Sequence, residues 1–282
     1  MIHTVKTIAE LTQVLATVRS EGKRIGLVPT MGALHEGHLM LVRRSVAEND
    51  YTVVTIFVNP TQFNNFGDLA KYPRDLEKDI AMLSEVACNL VFAPEKSEIY
   101  TEEELSSSFE FDFGGLDTVM EGRFRPGHFN GVVQIVSKLF HLILPQRAYF
   151  GEKDFQQLSI IHRMTRLMNF QIEIVDCPIV REPSGLAMSS RNERLSPEQR
   201  KIAAQISKIL FECRNFVPGK TPAEIKQYVE QKINAVKGLE LEYFEIANVE
   251  SLQPVSDWSE PSVGCIAVFC GEVRLIDNIR CT

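Results

Sequence analysis

The sequence predicts an α/β protein: a doubly wound parallel sheet followed by a smaller α+β unit. Three observations carry this. Short β-branched runs alternate with stretches of helical periodicity through residues 1–180, the pattern of strands joined by crossover helices. The clearest of these runs, Tyr51 to Val58, is nearly continuous in apolar character, as in a strand buried on both faces. After Arg191 the order changes to two helical stretches and then three strand-like runs, which predicts a separate α+β domain over residues 181–282.

Taken in order, Thr7-Ile-Ala-Glu10 has the form of a capping box. It opens a helix with an apolar stripe at Ile8, Leu11, Val14, Leu15 and Val18, and Gly22 ends it. Strands are expected at about Ile25–Val28, Tyr51–Val58, Asn89–Ala93, Ala148–Phe150 and Ile172–Val175, with helices at about Leu39–Glu48, Arg74–Ala87, Val132–Leu144 and from Phe155 to Met168. Phe109, Phe111 and Phe113 alternate with polar residues, predicting a half-exposed strand or hairpin broken by Gly114 and Gly115. Glu121 to His128 reads as a basic, glycine-rich loop. Beyond the expected boundary near Val180, helices start at Ser196-Pro197 and Thr221-Pro222, and strands follow at Leu239–Ile246, Val263–Phe269 and Val273–Ile276. Right-handed crossovers and the commonest doubly wound order, 3-2-1-4-5, would put the first and fourth strands side by side at the switch point, where ligands collect.

Composition narrows the partners. The chain has 282 residues, with 44% hydrophobic and 24% charged, typical of a globular protein. A net charge of -7 argues against non-specific coating of nucleic acid or anionic membrane. Between Met120 and Arg194, however, ten Lys or Arg face seven Asp or Glu, and a locally basic middle suits a small polyanion. Six cysteines without a C-x-x-C read as reduced structural thiols. No apolar run reaches membrane-spanning length and no signal peptide is evident, so a cytoplasmic location is expected.

The most informative stretch is Ile25 to Leu41, IGLVPTMGALHEGHLML. It reads as a strand, a tight turn and a helix start. A helix N-terminus offers unpaired N–H groups and positive dipole to an anion. Gly32 and Gly37 remove side chains where a phosphate or base would approach. His35 and His38, three apart, would face one side of the first turn and donate to a phosphoryl group gaining charge. His-x-x-His could also supply two zinc ligands, but no partner Cys or His cluster lies nearby and Glu36 points off the shared face.

Other loops join it. Lys153, in Gly151-Glu152-Lys153-Asp154 ahead of a helix, could neutralise a phosphate. Ser189, Ser190 and Arg191 offer two hydroxyls and a guanidinium. Gln62 and Gln157 could grip a small polar substrate or simply be surface amides. Arg125 and His128 could bind anions or cap the next helix, and the residues alone do not choose.

Together PTMGALHEGH, IFVNP-x-QF, RPGHF-x-GV, GEKDFQQL and GLAMSSRN resemble the pantoate–β-alanine ligase family, five motifs in order over roughly the first 195 residues. The closing VRLIDN is similar to the family's C-terminal domain. This family lies in the nucleotidylyl-transferase superfamily, with a Rossmann-like sheet of the HxGH type. The resemblance implies condensation of (R)-pantoate with β-alanine through a pantoyl adenylate, consuming ATP with magnesium on its phosphates and releasing AMP and pyrophosphate. It implies an ATP site at Met31, Gly32, Ala33, Leu34, His35, Glu36, Gly37 and His38, completed by Gly151, Glu152, Lys153, Asp154, Val180, Met188, Ser189, Ser190 and Arg191. His38, His35, Lys153 and Arg191 would be catalytic, and Gln62, Gln157, Asn59 and Arg125 would hold substrate. No protein ligand for the metal is implied. A homodimer is expected from the family, residues 1–180 carrying ATP and pantoate and 181–282 serving as a lid. One departure is Thr61, where the family commonly has methionine. Rival readings are an adenylyl transferase for another acceptor, such as a nucleotide or phosphopantetheine, and a nucleotide sensor without turnover.

Overall fold

The computed structural model describes residues 2–64, 66–106 and 109–282. Asn65, expected to end the loop after Tyr51–Val58, and Ser107 and Ser108 within the Tyr100–Phe113 stretch lie outside the described residues. Two compact units are present: Met1–Gly114, Arg125–Glu152 and Gln157–Cys177 form one, and Gly115–Phe124, Lys153–Gln156 and Pro178–Thr282 the other.

The first unit runs β1 (His3–Val5), α1 (Ile8–Ser20), β2 (Ile25–Thr30), α2 (Glu36–Glu48), β3 (Tyr51–Ile56), α3 (Phe66–Lys71), α4 (Leu76–Glu85), β4 (Leu90–Phe92) and the short helices α5 (Lys96–Ile99) and α6 (Glu102–Ser106). After α7 (Met120–Phe124), which belongs to the second unit, come α8 (His128–Ile143), β5 (Arg147–Gly151), α9 (Phe155–Leu167) and β6 (Glu173–Cys177). All six strands are parallel in the order β1-β4-β3-β2-β5-β6. The expected order therefore holds for its five strands, and β1 adds an edge strand that the sequence reading missed. The chain leaves β2 toward β3 and β4, then returns to β5 and β6, so the switch point lies between β2 and β5.

Side chains of Val28, Leu39, Val42, Val54, Leu83, Val91 and Tyr149 fill one core around this sheet. α2 packs close to β2 because Gly26 has no side chain: a Cβ there would lie 2.3 Å from Ser45 Oγ. The capping box at the head of α1 is present, with Glu10 N–H donating to Thr7 Oγ1 at 3.2 Å and Thr7 N–H donating to Glu10 Oε2 at 3.0 Å.

Two expectations are corrected. No strand forms at Phe109, Phe111 and Phe113. Local side chains claim that backbone instead: Asn130 donates to Phe109 O at 2.6 Å, Arg163 donates to Asp112 O at 2.8 Å, and Asp112 Oδ1 accepts from Gly114 N–H. Nor is Glu121 to His128 a plain loop. Residues 120–124 are helical, and α8 begins at His128 behind Gly127, whose φ of 80° suits only glycine comfortably.

In the second unit, α10 (Pro197–Arg214) and α11 (Pro222–Ala235) pack on an antiparallel sheet β7-β8-β9 (Leu239–Asn248, Ser262–Cys270, Val273–Arg280). Both helices carry the expected capping boxes, at Ser196/Gln199 and Thr221/Glu224. Their core holds Ala203, Leu210, Ile225, Val229, Phe244, Ile266 and Val268. No helix among the described residues is long and apolar enough to cross a membrane.

Candidate active site

The turn after β2 is built by an unusual backbone. Gly32 has φ +78° and Ala33 φ +49°, so two successive residues sit in the left-handed region. A buried carboxylate holds them there. Asp79, on α4, accepts from Ala33 N–H at 2.9 Å and from Leu34 N–H at 2.7 Å. Burial pushes the Asp79 carboxyl above its usual value, against the opposing pull of these donors from Leu34 and Ala33. A Cβ on Gly32 would stand 3.0 Å from Asp79 Oδ2 and 3.1 Å from Ile56 Cγ2. The absence of a side chain at Gly32 thus lets the turn pack against Asp79 and Ile56. Asp79 was missed at the sequence level, although its place between Leu76 and Leu83 on the inward stripe of α4 is the signal that marks it.

His35 is the N-cap of α2, and its Nδ1 accepts from Gly37 N–H at 3.1 Å. His38 Nδ1 accepts from His35 N–H at 3.3 Å. The two rings lie 4.0 Å apart between centroids, inclined by 33°. A neutral imidazole that accepts at Nδ1 carries its proton on Nε2. The two rings lie side by side at the head of α2, as the spacing predicts. Glu36 turns outward to Arg43, with which it forms an exposed ion pair.

Behind this turn, Gln62 is buried. Its Nε2 lies 3.1 Å from Met31 Sδ, and its Oε1 accepts from Asn59 Nδ2 at 3.1 Å. Asn59 also donates to Gly131 O at 3.0 Å and accepts from the Tyr100 hydroxyl at 2.8 Å. Thr61 joins the network by donating to Asn59 Oδ1 at 3.1 Å. Gly131 permits it all: a Cβ there would fall 2.4 Å from Thr61 C and O. His128, buried at the start of α8, donates from Nδ1 to Gln62 O at 2.8 Å, so it holds the glutamine loop. Arg125 is half-buried, and its carbonyl accepts from His128 N–H.

Gly151 ends β5, adjacent to β2, and a Cβ at Gly151 would meet open space. Glu152, Lys153 and Asp154 form a single 3-10 turn just ahead of α9, and Gln157 lies in the first turn of that helix. Lys153 is half-buried. Lys153 belongs to the second unit, where Asn278 Nδ2 donates to its carbonyl at 3.0 Å.

The 180–195 stretch of the second unit is well tied. Met188 N–H donates to Val180 O at 3.0 Å, and Arg181 bridges both oxygens of Asp277 at 2.7 and 2.9 Å. Ser189 caps a 3-10 turn, Ser190–Arg194, by accepting from Arg191 N–H at 3.3 Å. Asn192, buried, donates to Glu182 Oε1 and Ala187 O. Asn192, Glu182 and Asp277 are supports that the sequence reading did not find. Among the described residues no group of three or more His, Cys, Asp or Glu could hold a metal. A cavity of about 340 Å³ in the second unit is lined by Arg123, Phe124, Lys226 and Tyr243 among others, and by none of the motif residues.

A parallel sheet with a histidine-capped helix beside its switch point defines a doubly wound α/β protein of the kind that binds ligands at the carboxyl ends of its strands. Known proteins narrow the class. The family model described as pantoate-beta-alanine ligase matches residues 3–280. The pantothenate synthetase of Phocaeicola vulgatus is 58% identical over 279 residues, 98% of each chain, and that of Bacteroides fragilis is 56% identical over 282 residues, 99% of this chain and 98% of the relative. Pantothenate synthetase from Thermus thermophilus matches in structure with a TM-score of 0.92 at 44% identity, covering 99% of both chains. The Francisella tularensis pantoate-beta-alanine ligase, crystallised with beta-gamma ATP and beta-alanine, matches at 0.83 and 32% over 99% of this chain and 98% of that one. The chain belongs to the pantoate-beta-alanine ligase family, and it is an enzyme that condenses pantoate with β-alanine using ATP.

Proposed function

We propose that the reaction runs through a pantoyl adenylate and that the motif residues carry it. A pantoate carboxylate oxygen attacks the α-phosphorus of ATP, and the bond to pyrophosphate breaks. The β-alanine amine then attacks the acyl carbon, AMP leaves, and the amine gives up a proton. A carboxylate approaching a polyanion needs charge neutralisation and alignment above all. The observation that carries the reading is the pairing of His35 and His38 at the head of α2, each accepting a backbone N–H at Nδ1 with the two ring centroids 4.0 Å apart. Met31 to His38 hold ATP in this reading, with His38 the principal donor, and Gly151 to Asp154, Val180 and Met188 to Arg191 complete the nucleotide site. Lys153 and Arg191 neutralise phosphate charge. Gln62, Asn59, Gln157 and Arg125 hold pantoate, and the buried Asn59–Gln62 pair supports the first two.

Magnesium would enter bound to the ATP phosphates, for which no all-protein cage is required. Bound there, it would supply charge neutralisation at the phosphates. Residues 181–282 act as a lid that shields the acyl adenylate from water. The enzyme works as a cytoplasmic homodimer, which sedimentation and cell fractionation test.

Pantoate-dependent exchange of labelled pyrophosphate into ATP, without β-alanine, tests the adenylate. Exchange with pantoate alone is expected. Absence of exchange, or equal exchange with unrelated hydroxy acids, would overturn the assignment. Lys153→Ala should lower the exchange rate and weaken ATP use together, and unchanged single-turnover rates would count against its role.

A further inference from the structure

We propose that Gln156 is a positioning residue of the ligase reaction: residues 116–121 wrap around its carboxamide and so fix the turn that carries Lys153 and the start of α9, which carries Gln157. The inference rests on the roles proposed above for those two side chains.

Gln156 is only 3% exposed, and its amide is fully used. Nε2 donates to Leu116 O at 2.6 Å and Val119 O at 2.9 Å, and Oε1 accepts from Glu121 N–H at 2.9 Å. Three backbone groups of one short segment thus close on one side chain. That segment has little slack. A Cβ at Gly122 would lie 1.9 Å from Asp117 O, and Met120 holds φ +43°. The Glu121 carboxylate, in turn, accepts from the Tyr243 hydroxyl at 2.8 Å and from two Arg274 nitrogens at 2.8 and 2.6 Å. Gln156 is therefore bolted to β7 and β9 through a single intermediary. The same turn is held at two more points, by Asn278 on the Lys153 carbonyl at 3.0 Å and by the Arg280 guanidinium 5.3 Å from the Phe155 ring centroid.

All of these contacts act on backbone or on neighbouring side chains, and none consumes the Lys153 ammonium or the Gln157 amide. Those two groups lie four residues apart across the start of α9, with Gln156 between them in sequence. A group that must meet a reacting atom within a fraction of an ångström gains from a rigid base, and loss of that base costs rate without removing any contact to substrate.

The test is a pair of double-mutant cycles read by pyrophosphate exchange: Gln156→Met against Lys153→Ala, and Gln156→Met against Gln157→Ala. Gln156→Met keeps length and removes every polar atom. It should lower kcat/KM for pantoate on the order of 10- to 100-fold in the native background. In the Lys153→Ala and Gln157→Ala backgrounds the further loss should fall below about threefold, because the positioned group is already gone. The same loss in every background, as a merely destabilising change would give, overturns the inference while leaving the catalytic roles intact. Native exchange in Gln156→Met overturns it as well. If Lys153→Ala and Gln157→Ala themselves exchange normally, the proposed roles fail and the inference falls with them. Should Gln156→Met not fold, Gln156→Asn retains the amide on a shorter arm, and the same cycles decide with it.

Discussion

Asp79 and Leu34 are joined by a hydrogen bond of 2.7 Å across 45 residues of chain, and with Ala33 the contact fixes the left-handed turn ahead of the histidine pair. Asp79→Ala would remove the acceptor of the half-buried Ala33 N–H and of the buried Leu34 N–H, a loss of roughly 1–3 kcal/mol in stability. It should also relax the turn and reduce pyrophosphate exchange, so melting and exchange are expected to fall together. Native exchange in a folded Asp79→Ala enzyme would show that the turn holds its shape alone.

His38 does two jobs that a substitution can separate. As an acceptor for His35 N–H it supports the head of α2, worth about 1 kcal/mol. As an Nε2–H donor it is expected to account for about 10²-fold or more in the adenylation step. His38→Ala should therefore lose far more rate than stability, measured by single-turnover adenylation beside a thermal melt. Near-native rates with a lowered melting point would reduce the histidine to a cap.

Gly131 admits the Asn59–Gln62 loop because it has no side chain. Gly131→Ala drives a Cβ into the Thr61 carbonyl, where backbone cannot yield cheaply. KM for pantoate should rise about tenfold or more, on the scale of a misplaced binding group, with KM for ATP changing much less. Equal effects on both substrates would argue for a general loss of fold.

Stability should fall on both sides of a broad neutral plateau. A hydrogen bond from Arg44 holds Glu48 below the ordinary glutamate range, and one from Lys138 does the same for Glu104. Unfolded, both titrate near ~4.3, so their contribution is complete above that value and is lost as pH falls through the lower folded values. Each is partly exposed and supplies less than about 1 kcal/mol. On the alkaline side, burial pushes the Cys88 and Cys213 thiols up to about 12. Unfolded thiols ionise near ~8.5, so this contribution is complete below that value and is lost as pH rises toward 12. Melting temperatures recorded across the range should decline at both ends, and a rise above about pH 9 would contradict the assignment.

The parts of the fold legible in the sequence were those with strong local patterns. The capping boxes at Thr7, Ser196 and Thr221 and the buried runs of β2 and β3 have signatures only a few residues long. β1 was not legible because three residues, His3-Thr-Val5, carry too little pattern; pairing with β4 makes it a strand. The Phe109–Phe113 alternation misled because Asn130 and Arg163, far along the chain, take the carbonyls a ladder would have used. Within the candidate site, the pairing of His35 with His38 was legible from their spacing, and Gln62 and Lys153 were singled out by their motifs. Asp79, Asn192 and Gln156 were not legible, since their value lies in distant backbone partners; an acid or amide on an inward-facing helical position was the only trace they left.

All six cysteines are buried and none forms a disulfide. Burial also raises the thiols, which keeps them from the thiolate form that alkylating reagents attack. The native chain is thus a silent background for maleimide chemistry. A single cysteine introduced on the exposed Pro183–Ser184 tip would be the one position to accept a dye, so motion of that tip could be followed in real time during turnover without stripping the protein of its own sulfur.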